Sequence, residues 1–172
     1  LARLFRYNVK GDANVPFSQE LEITQAYLDI QKARFPGKLE VIYSVRPETL
    51  SVSIMKFLLQ PLVENAVFHG IEPALRKGTL FIGARVQEGR LLITIQDDGI
   101  GIPPEQFAQL QEHLADISFI NTYSQQHVGI LNVAHRILLN YGEGYGLTLE
   151  SAPEEGTRIL LTLPADREGD AS

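Results

Sequence analysis

Apolar positions change period several times along this chain, and the changes mark its elements. Residues 1–10 carry Leu1, Leu4, Phe5 and Val9 at helical spacing, which predicts the tail of a helix. Residues 11–14 read as a loop. Residues 16–35 predict a second helix, with Ser18 as its N-cap, Glu20 and Glu22 at the positive end of its dipole, and Lys32 and Arg34 at the other. Pro36-Gly37 stops it. Residues 39–45 alternate apolar and polar, as a strand with one wet face does. Residues 52–69 return to a helical pattern, broken at Pro61, with the helix proper starting at about that residue.

Residues 79–86 and 91–96 are two β-rich runs joined through Glu88-Gly89, a hairpin signal. The run from Asp97 to Pro104 is too dense in Gly and Pro to continue a strand and must be a shaped loop. Residues 105–126 read as one short helix followed by a polar flap. Residues 128–141 are helical, with Ile130, Val133, Ile137 and Leu138 on one stripe and Gly142 as the stop. Residues 147–151 and 158–163 make a last strand pair around Pro153-Glu154-Glu155-Gly156, and residues 165–172 form a polar tail. The predicted fold is α+β: a two-layer sandwich of a mixed five-stranded sheet with helices on one face.

Composition narrows what such a fold can do. The 172 residues are 44% hydrophobic and 21% charged, which suits one domain with a real core. There is no cysteine, so disulfides and cysteine-based zinc sites are excluded. A net charge of −6 without a basic stripe argues against direct nucleic-acid binding. It leaves nucleotide binding open, because local dipoles and one metal ion are enough to hold phosphates. No apolar run reaches the roughly 18 residues of a membrane span. The chain opens at Leu1 inside a helical pattern, so it reads as a piece of a longer protein.

Four segments could carry chemistry. In LLQPLVENAVFHG (58–70), Asn65 lies in an apolar helix, where its amide must find a partner. An amide oxygen is a hard neutral ligand suited to Mg²⁺ when phosphates supply the charge, and a backbone partner would satisfy it equally. In Asp97-Asp98-Gly99-Ile100-Gly101, a carboxylate at a strand end can accept an exocyclic amino group while glycines let backbone approach a planar base. Taken alone, such a run is more often an ordinary turn. In His127-Val128-Gly129-Ile130, a glycine before a helix exposes free N–H groups to phosphate. Thr157, after the turn glycine Gly156, offers a hydroxyl but is also an ordinary strand residue.

In this order the four segments resemble the ATPase superfamily shared by gyrase, heat-shock chaperones, histidine kinases and MutL, whose ATP-binding fold is of the Bergerat type. The more specific resemblance is to LytS-type sensor histidine kinases. LLQPLVENAVFHGI resembles their N box, DDGIGIPP their first glycine box, GILNVAHRILLNYG their helix segment ending in Arg-Leu-x-x-x-Tyr-Gly, and LTLESAPEEGTRILLTLP their closing hairpin. Arg6-Tyr7, and the run from Glu20 through Tyr27-Leu28 and Ile30-Gln31 to Arg34-Phe35, also fit. The similarity extends from residue 1 to about residue 164.

The resemblance implies roles. Asn65 would ligate Mg²⁺ between the phosphates of ATP, with Glu64 beside it as a catalytic candidate. Asp97 would take the adenine amino group, with Gly99, Gly101 and Ile102 lining the base pocket. Gln126 to Gly129, including His127, would form a lid, with Ile130 also at the nucleotide; His69 would reach a phosphate, and Thr157 would support the base end. The family's phosphoacceptor motif, proline-histidine-phenylalanine, surrounds none of the four histidines, so the acceptor is expected upstream of Leu1. Residues 1–14 would then end the dimerisation and acceptor helices, and residues 15–164 would be the catalytic domain. The implied partners are ATP, a response regulator and a second copy joined through upstream helices. The implied location is the cytoplasmic side of an inner- or plasma-membrane sensor. A nucleotide-binding regulatory module with little turnover is the alternative.

Four positions depart from the family pattern. His127 stands where a glycine is usual, Phe68 where a basic residue often follows the Mg²⁺ ligand, and Asp98 where Asn is usual. Pro61 replaces the general-base glutamate of hydrolytic members, and Glu64, about 100° away around a helix, is not placed to substitute for it. These changes bear on turnover more than on nucleotide binding.

Overall fold

The computed structural model describes residues 14–116 and 127–166. The expected first helix, the end of the flap and the end of the tail lie outside them. Five strands form one sheet: β2 (Leu39–Val45), β4 (Gly78–Gln87), β5 (Arg90–Asp97), β6 (Gly146–Ala152) and β7 (Gly156–Pro164), in the order β2-β4-β5-β7-β6. β2 runs parallel to β4 and every other neighbouring pair is antiparallel. The sheet is therefore mixed, as expected. Its hairpin turns use left-handed backbone at Glu88 and Gly89 and at Glu154 and Gly156.

Helices α1 (Phe17–Arg34), α2 (Leu59–Asn65), α3 (Pro104–Ala115) and α4 (Val128–Tyr141) supply the second layer. Leu28, Leu58, Leu59, Leu62, Ile130 and Ile137 are buried with the sheet residues Leu80, Ile82, Leu91, Ile93, Ile95 and Leu161 in one core. Leu138, expected on the core stripe of α4, is partly exposed, and Leu131 and Ala134 are buried instead.

Two differences from the expected pattern concern the start of the helical layer. A short ribbon pairs β1 (Asn14–Pro16) antiparallel with β3 (Ser53–Met55), so residues predicted as helix form a strand. The helix proper then starts at Leu59, two residues before Pro61, which sits in the first turn where its missing N–H costs nothing. α1 begins at Phe17, and Ser18 does not cap it. The free N–H groups of Phe17 and Ser18 donate instead to the carbonyls of Val52 and Leu50, at 2.8 and 3.0 Å. Beyond Asn65, residues Ala66–Ile71 widen into a π-helical turn, in which Glu72 N–H donates to the Val67 carbonyl at 2.8 Å. Such widenings are frequent at functional sites.

Candidate functional site

A cavity of about 260 Å³ opens between the end of α2, the loop after β5 and the start of α4. Asn65, His69, Asp97, Gly101, Ile102, His127 and Thr157 line it together, from segments far apart in sequence. Glu64, Gly99, Gly129 and Ile130 are not in its lining. Glu64 accepts from Gln60 Nε2 at 3.1 Å, one turn back along α2. Ile130 is fully buried in the core. At Gly129 a Cβ would lie 3.4 Å from the Pro61 Cβ, an ordinary contact between α4 and α2. Gly99 packs against the backbone of Gly70, which does line the cavity.

Asp97 ends β5 on the cavity floor and is 3% exposed. Its Oδ1 accepts the Gly99 N–H at 2.9 Å. Burial raises its pKa from 3.8 to about 6, against the lowering effect of the Gly99 hydrogen bond, and the neighbouring charge of Asp98 adds to the rise. Asp98 points elsewhere: its Oδ1 accepts the Thr79 N–H at 2.7 Å, pinning the loop to β4, and its other oxygen meets Arg76 at 3.4 Å.

The backbone around Asp97 is packed to the limit. A Cβ on Gly70 would stand 2.5 Å from Asp97 Oδ1, and one on Gly99 would stand 2.1 Å from the Gly70 carbonyl oxygen. Gly101 (φ +70°) and Gly156 (φ +89°) would each place a Cβ 2.0 Å from a carbonyl oxygen, of Ala152 and Asp97 respectively. Ile100 N–H donates to the Gly70 carbonyl at 3.0 Å, and Glu154 N–H to the Ile100 carbonyl at 2.8 Å. The end of the pocket helix, the loop after β5 and the β6–β7 turn thus form one interlocked backbone unit.

Ser151 completes this end. Its hydroxyl accepts the Ile102 N–H, donates to the Gly156 carbonyl and meets the Thr157 hydroxyl, each at 2.9 Å. Its single proton is committed to the carbonyl, so Thr157 is the donor between the two hydroxyls and keeps its lone pairs free. No sequence signal marks Ser151, which reads as the last residue of a strand. Gly70 could have been found, as the closing glycine of the Asn65 segment.

The other end of the cavity is made by side chains. Asn65 is half-buried, with no side-chain hydrogen bond among the described residues, and His69, one turn on, is exposed. His127 lies across from them. Both of its ring nitrogens are buried without a partner among the described residues, and burial together with the nearby His69 holds its pKa below the usual imidazole value. No group of three or more His, Asp or Glu side chains that could hold a metal ion occurs among the described residues. A metal here would need most of its ligands from a bound molecule.

Residues 51–167 match the family of histidine kinase-, DNA gyrase B- and HSP90-like ATPases, and residues 1–39 match the histidine kinase family. The sensor histidine kinase YpdA of Escherichia coli is 36% identical over 169 residues, 97% of this chain and 28% of YpdA. The sensor protein LytS of Bacillus anthracis is 30% identical over 166 residues, 95% of this chain and 27% of LytS. The chain thus spans about a quarter of the length of these curated relatives. Among solved structures, the catalytic domain of the histidine kinase ThkA superposes with a TM-score of 0.62 at 13% identity, over 92% of this chain and 99% of that one. The histidine kinase domain of the blue-light activated kinase EL346 of Erythrobacter litoralis gives 0.60 at 18% identity, over 91% and 65%.

Proposed function

This chain belongs to the family of histidine kinase-, DNA gyrase B- and HSP90-like ATPases, and from that premise we propose that it is the catalytic ATP-binding domain of a sensor histidine kinase. Its cavity takes adenine at the Asp97 end and phosphates at the Asn65 end. The observation that carries the reading is Asp97: a nearly buried carboxylate on the floor of a cavity, one oxygen fixed by Gly99 and the Thr157 hydroxyl beside it. A buried acceptor of this kind is costly unless a donor arrives, and the adenine amino group is such a donor. Gly101 and Ile102 bring backbone and an apolar side chain against the base.

At the phosphate end the donor set suits a magnesium nucleotide. Asn65 offers a neutral oxygen, and Mg²⁺ typically takes one or two protein groups beside phosphate oxygens and water. Asn65 would hold Mg²⁺, which would offset the charge of the phosphates. His127, whose ring nitrogens are buried and unpartnered among the described residues, and His69, on the same cavity lining, would donate to phosphate oxygens. In the transfer itself, a histidine nitrogen outside residues 14–166 forms a bond to the γ-phosphorus as the bond to the bridging oxygen breaks and ADP leaves. The chain's own residues position the nucleotide and exclude water. Glu64 faces along α2 and takes no part in this step.

Response-regulator phosphorylation, assembly into a dimer and attachment to a membrane sensor belong to the same proposal for the whole protein, supported by the sensor kinases that this chain resembles. Titration calorimetry with a non-hydrolysable ATP analogue tests the site, with Mg²⁺ and with EDTA. Magnesium-dependent binding is expected, and no heat at millimolar nucleotide would remove the reading.

A further inference from the structure

Nucleotide binding leaves several motif residues unexplained, among them Glu20 in the run of α1 and Arg136 and Tyr141 in the segment of α4. All three converge on one stretch of backbone, residues 55–59, between β3 and α2. Glu20 is 3% exposed. Its Oε1 accepts the Phe57 N–H at 2.7 Å, and its Oε2 accepts the N–H groups of Leu58 and Leu59 at 3.2 and 3.3 Å. From α4, the Arg136 guanidinium donates to the carbonyls of Lys56 and Phe57, the latter at 3.0 Å. The Tyr141 hydroxyl accepts the Met55 N–H at 3.1 Å. Six backbone groups on five consecutive residues are held by three side chains from two helices.

The stretch needs holding. Phe57 has φ +61°, in the left-handed region, which is costly for a bulky aromatic residue and persists only where surroundings over-determine it. α2 has no side-chain cap of its own: its N-cap residue, Leu58, has helical backbone angles and a side chain that cannot accept. Glu20 takes the place of that cap from 37 to 39 residues away. The strained residue and the borrowed cap together set where α2 starts and how it is rotated about its axis. Asn65, at the end of α2, and His69, in the π-helical turn, inherit that rotation. A helix turns about 100° per residue, so a small change at its start swings Asn65 out of the cavity wall.

We propose that Glu20, Arg136 and Tyr141 are positioning residues: through the backbone of residues 55–59 they aim Asn65 and His69 at the phosphates of the bound nucleotide. The proposal rests on the nucleotide reading of the cavity given above. None of the three lines the cavity, so none touches the nucleotide.

The experiment compares the two ends of the site in Glu20→Gln and Tyr141→Phe. The first keeps shape but turns Oε2 into an amide that cannot accept from Leu58 and Leu59. The second removes one hydrogen bond and keeps the ring, so it remains informative if Glu20→Gln misfolds. Calorimetry reads affinity for a magnesium ATP analogue and, separately, for adenosine, which engages only the base end. Glu20→Gln is expected to weaken the magnesium analogue about tenfold and adenosine by less than about twofold, with Tyr141→Phe shifting in the same direction by less. Equal weakening of both ligands, or of neither alongside a lower melting temperature, would mean a purely structural part and overturn the proposal. A parent chain that binds neither ligand refutes the nucleotide reading instead. The positioning claim is then decided by the Asn65 side-chain amide resonances of the ligand-free chain: a shift in Glu20→Gln supports it, and an unmoved signal overturns it.

Discussion

At one end of the cavity the wall is backbone. Gly70, Gly99, Gly101 and Gly156 bring three segments so close that none has room for a Cβ; Ser151 ties two of them with hydrogen bonds, and Asp98 pins the loop to β4. At the other end the wall is side chains carried on helices: Asn65 without a partner among the described residues, His69 exposed, His127 with both nitrogens unsatisfied among them. The first end is closed by backbone packing alone, and on the proposed reading its shape would select a flat base with an amino group. The second end has unsatisfied polar groups, and on the same reading phosphates and their metal would supply the missing partners. That reading would separate selectivity from reactivity within a single cavity.

The sharpest way to break this contrast is to add one methyl group to the rigid end. Gly101→Ala places a Cβ 2.0 Å from the Ala152 carbonyl oxygen at φ +70°. It should cost about 3 kcal/mol or more of folding stability, read as a fall in the calorimetric melting temperature. An unchanged melting temperature would show that the rigid end can yield. Asp97→Asn probes the same end more gently. It keeps the shape but turns one acceptor oxygen into a donor, and affinity for a magnesium ATP analogue should fall at least about tenfold in titration calorimetry.

The same variant carries a pH signature. In the folded chain Asp97 holds its proton to about pH 6, whereas the unfolded carboxyl releases it near 3.8. Between those values the folded state binds more protons, so the Asp97 contribution to stability falls as pH rises from about 4 to about 6 and is level above. The amide introduced by Asp97→Asn has no proton to lose. The stability of this variant relative to the parent should therefore rise across that window in denaturant titrations, and a flat difference would contradict the buried ionisation.

At the open end, smaller effects of mixed sign are expected. His127→Leu removes two unsatisfied nitrogens, so the ligand-free chain should gain about 1 kcal/mol of stability while its affinity for the magnesium analogue drops several-fold. Loss of both would show that His127 has a structural partner. The smallest effect belongs to His69→Gln, at an exposed position. Its melting temperature should stay within about a degree, with a change of about threefold or less in affinity for the magnesium analogue.

The sheet was legible from alternation and turn glycines: all five strands were predicted within two residues of their observed ends, because each buries one face of regular period. The stretch 52–59 was not. Val52, Ile54, Met55, Leu58 and Leu59 suit a helix as well as a strand, and only pairing with residues 14–16 decides between them. The Glu20 carboxylate read as a favourable charge in its own helix. Its use as a cap elsewhere depends on a contact no local pattern encodes. In the site, Asp97 and Gly101 were readable because strand-end acid and glycine occur together, and the family resemblance tied them to Asn65 and Thr157. Ser151 carried no signal, since its three hydrogen bonds are to the loop after β5 and to the start of β7, which no local pattern brings together.

The β1–β3 ribbon has one more consequence, visible when the molecule is followed as a wiring diagram. From Asn14 the path crosses one ladder rung to Met55, and runs along ten residues of chain to Asn65. The path from Asn14 to Asp97 crosses more rungs: from Pro16 to Ser53, from the Ser53 N–H to the Asp166 carbonyl, and from β7 to β5. On the proposed reading, a displacement at Asn14 would meet the Asn65 end of the cavity through fewer rungs than the Asp97 end.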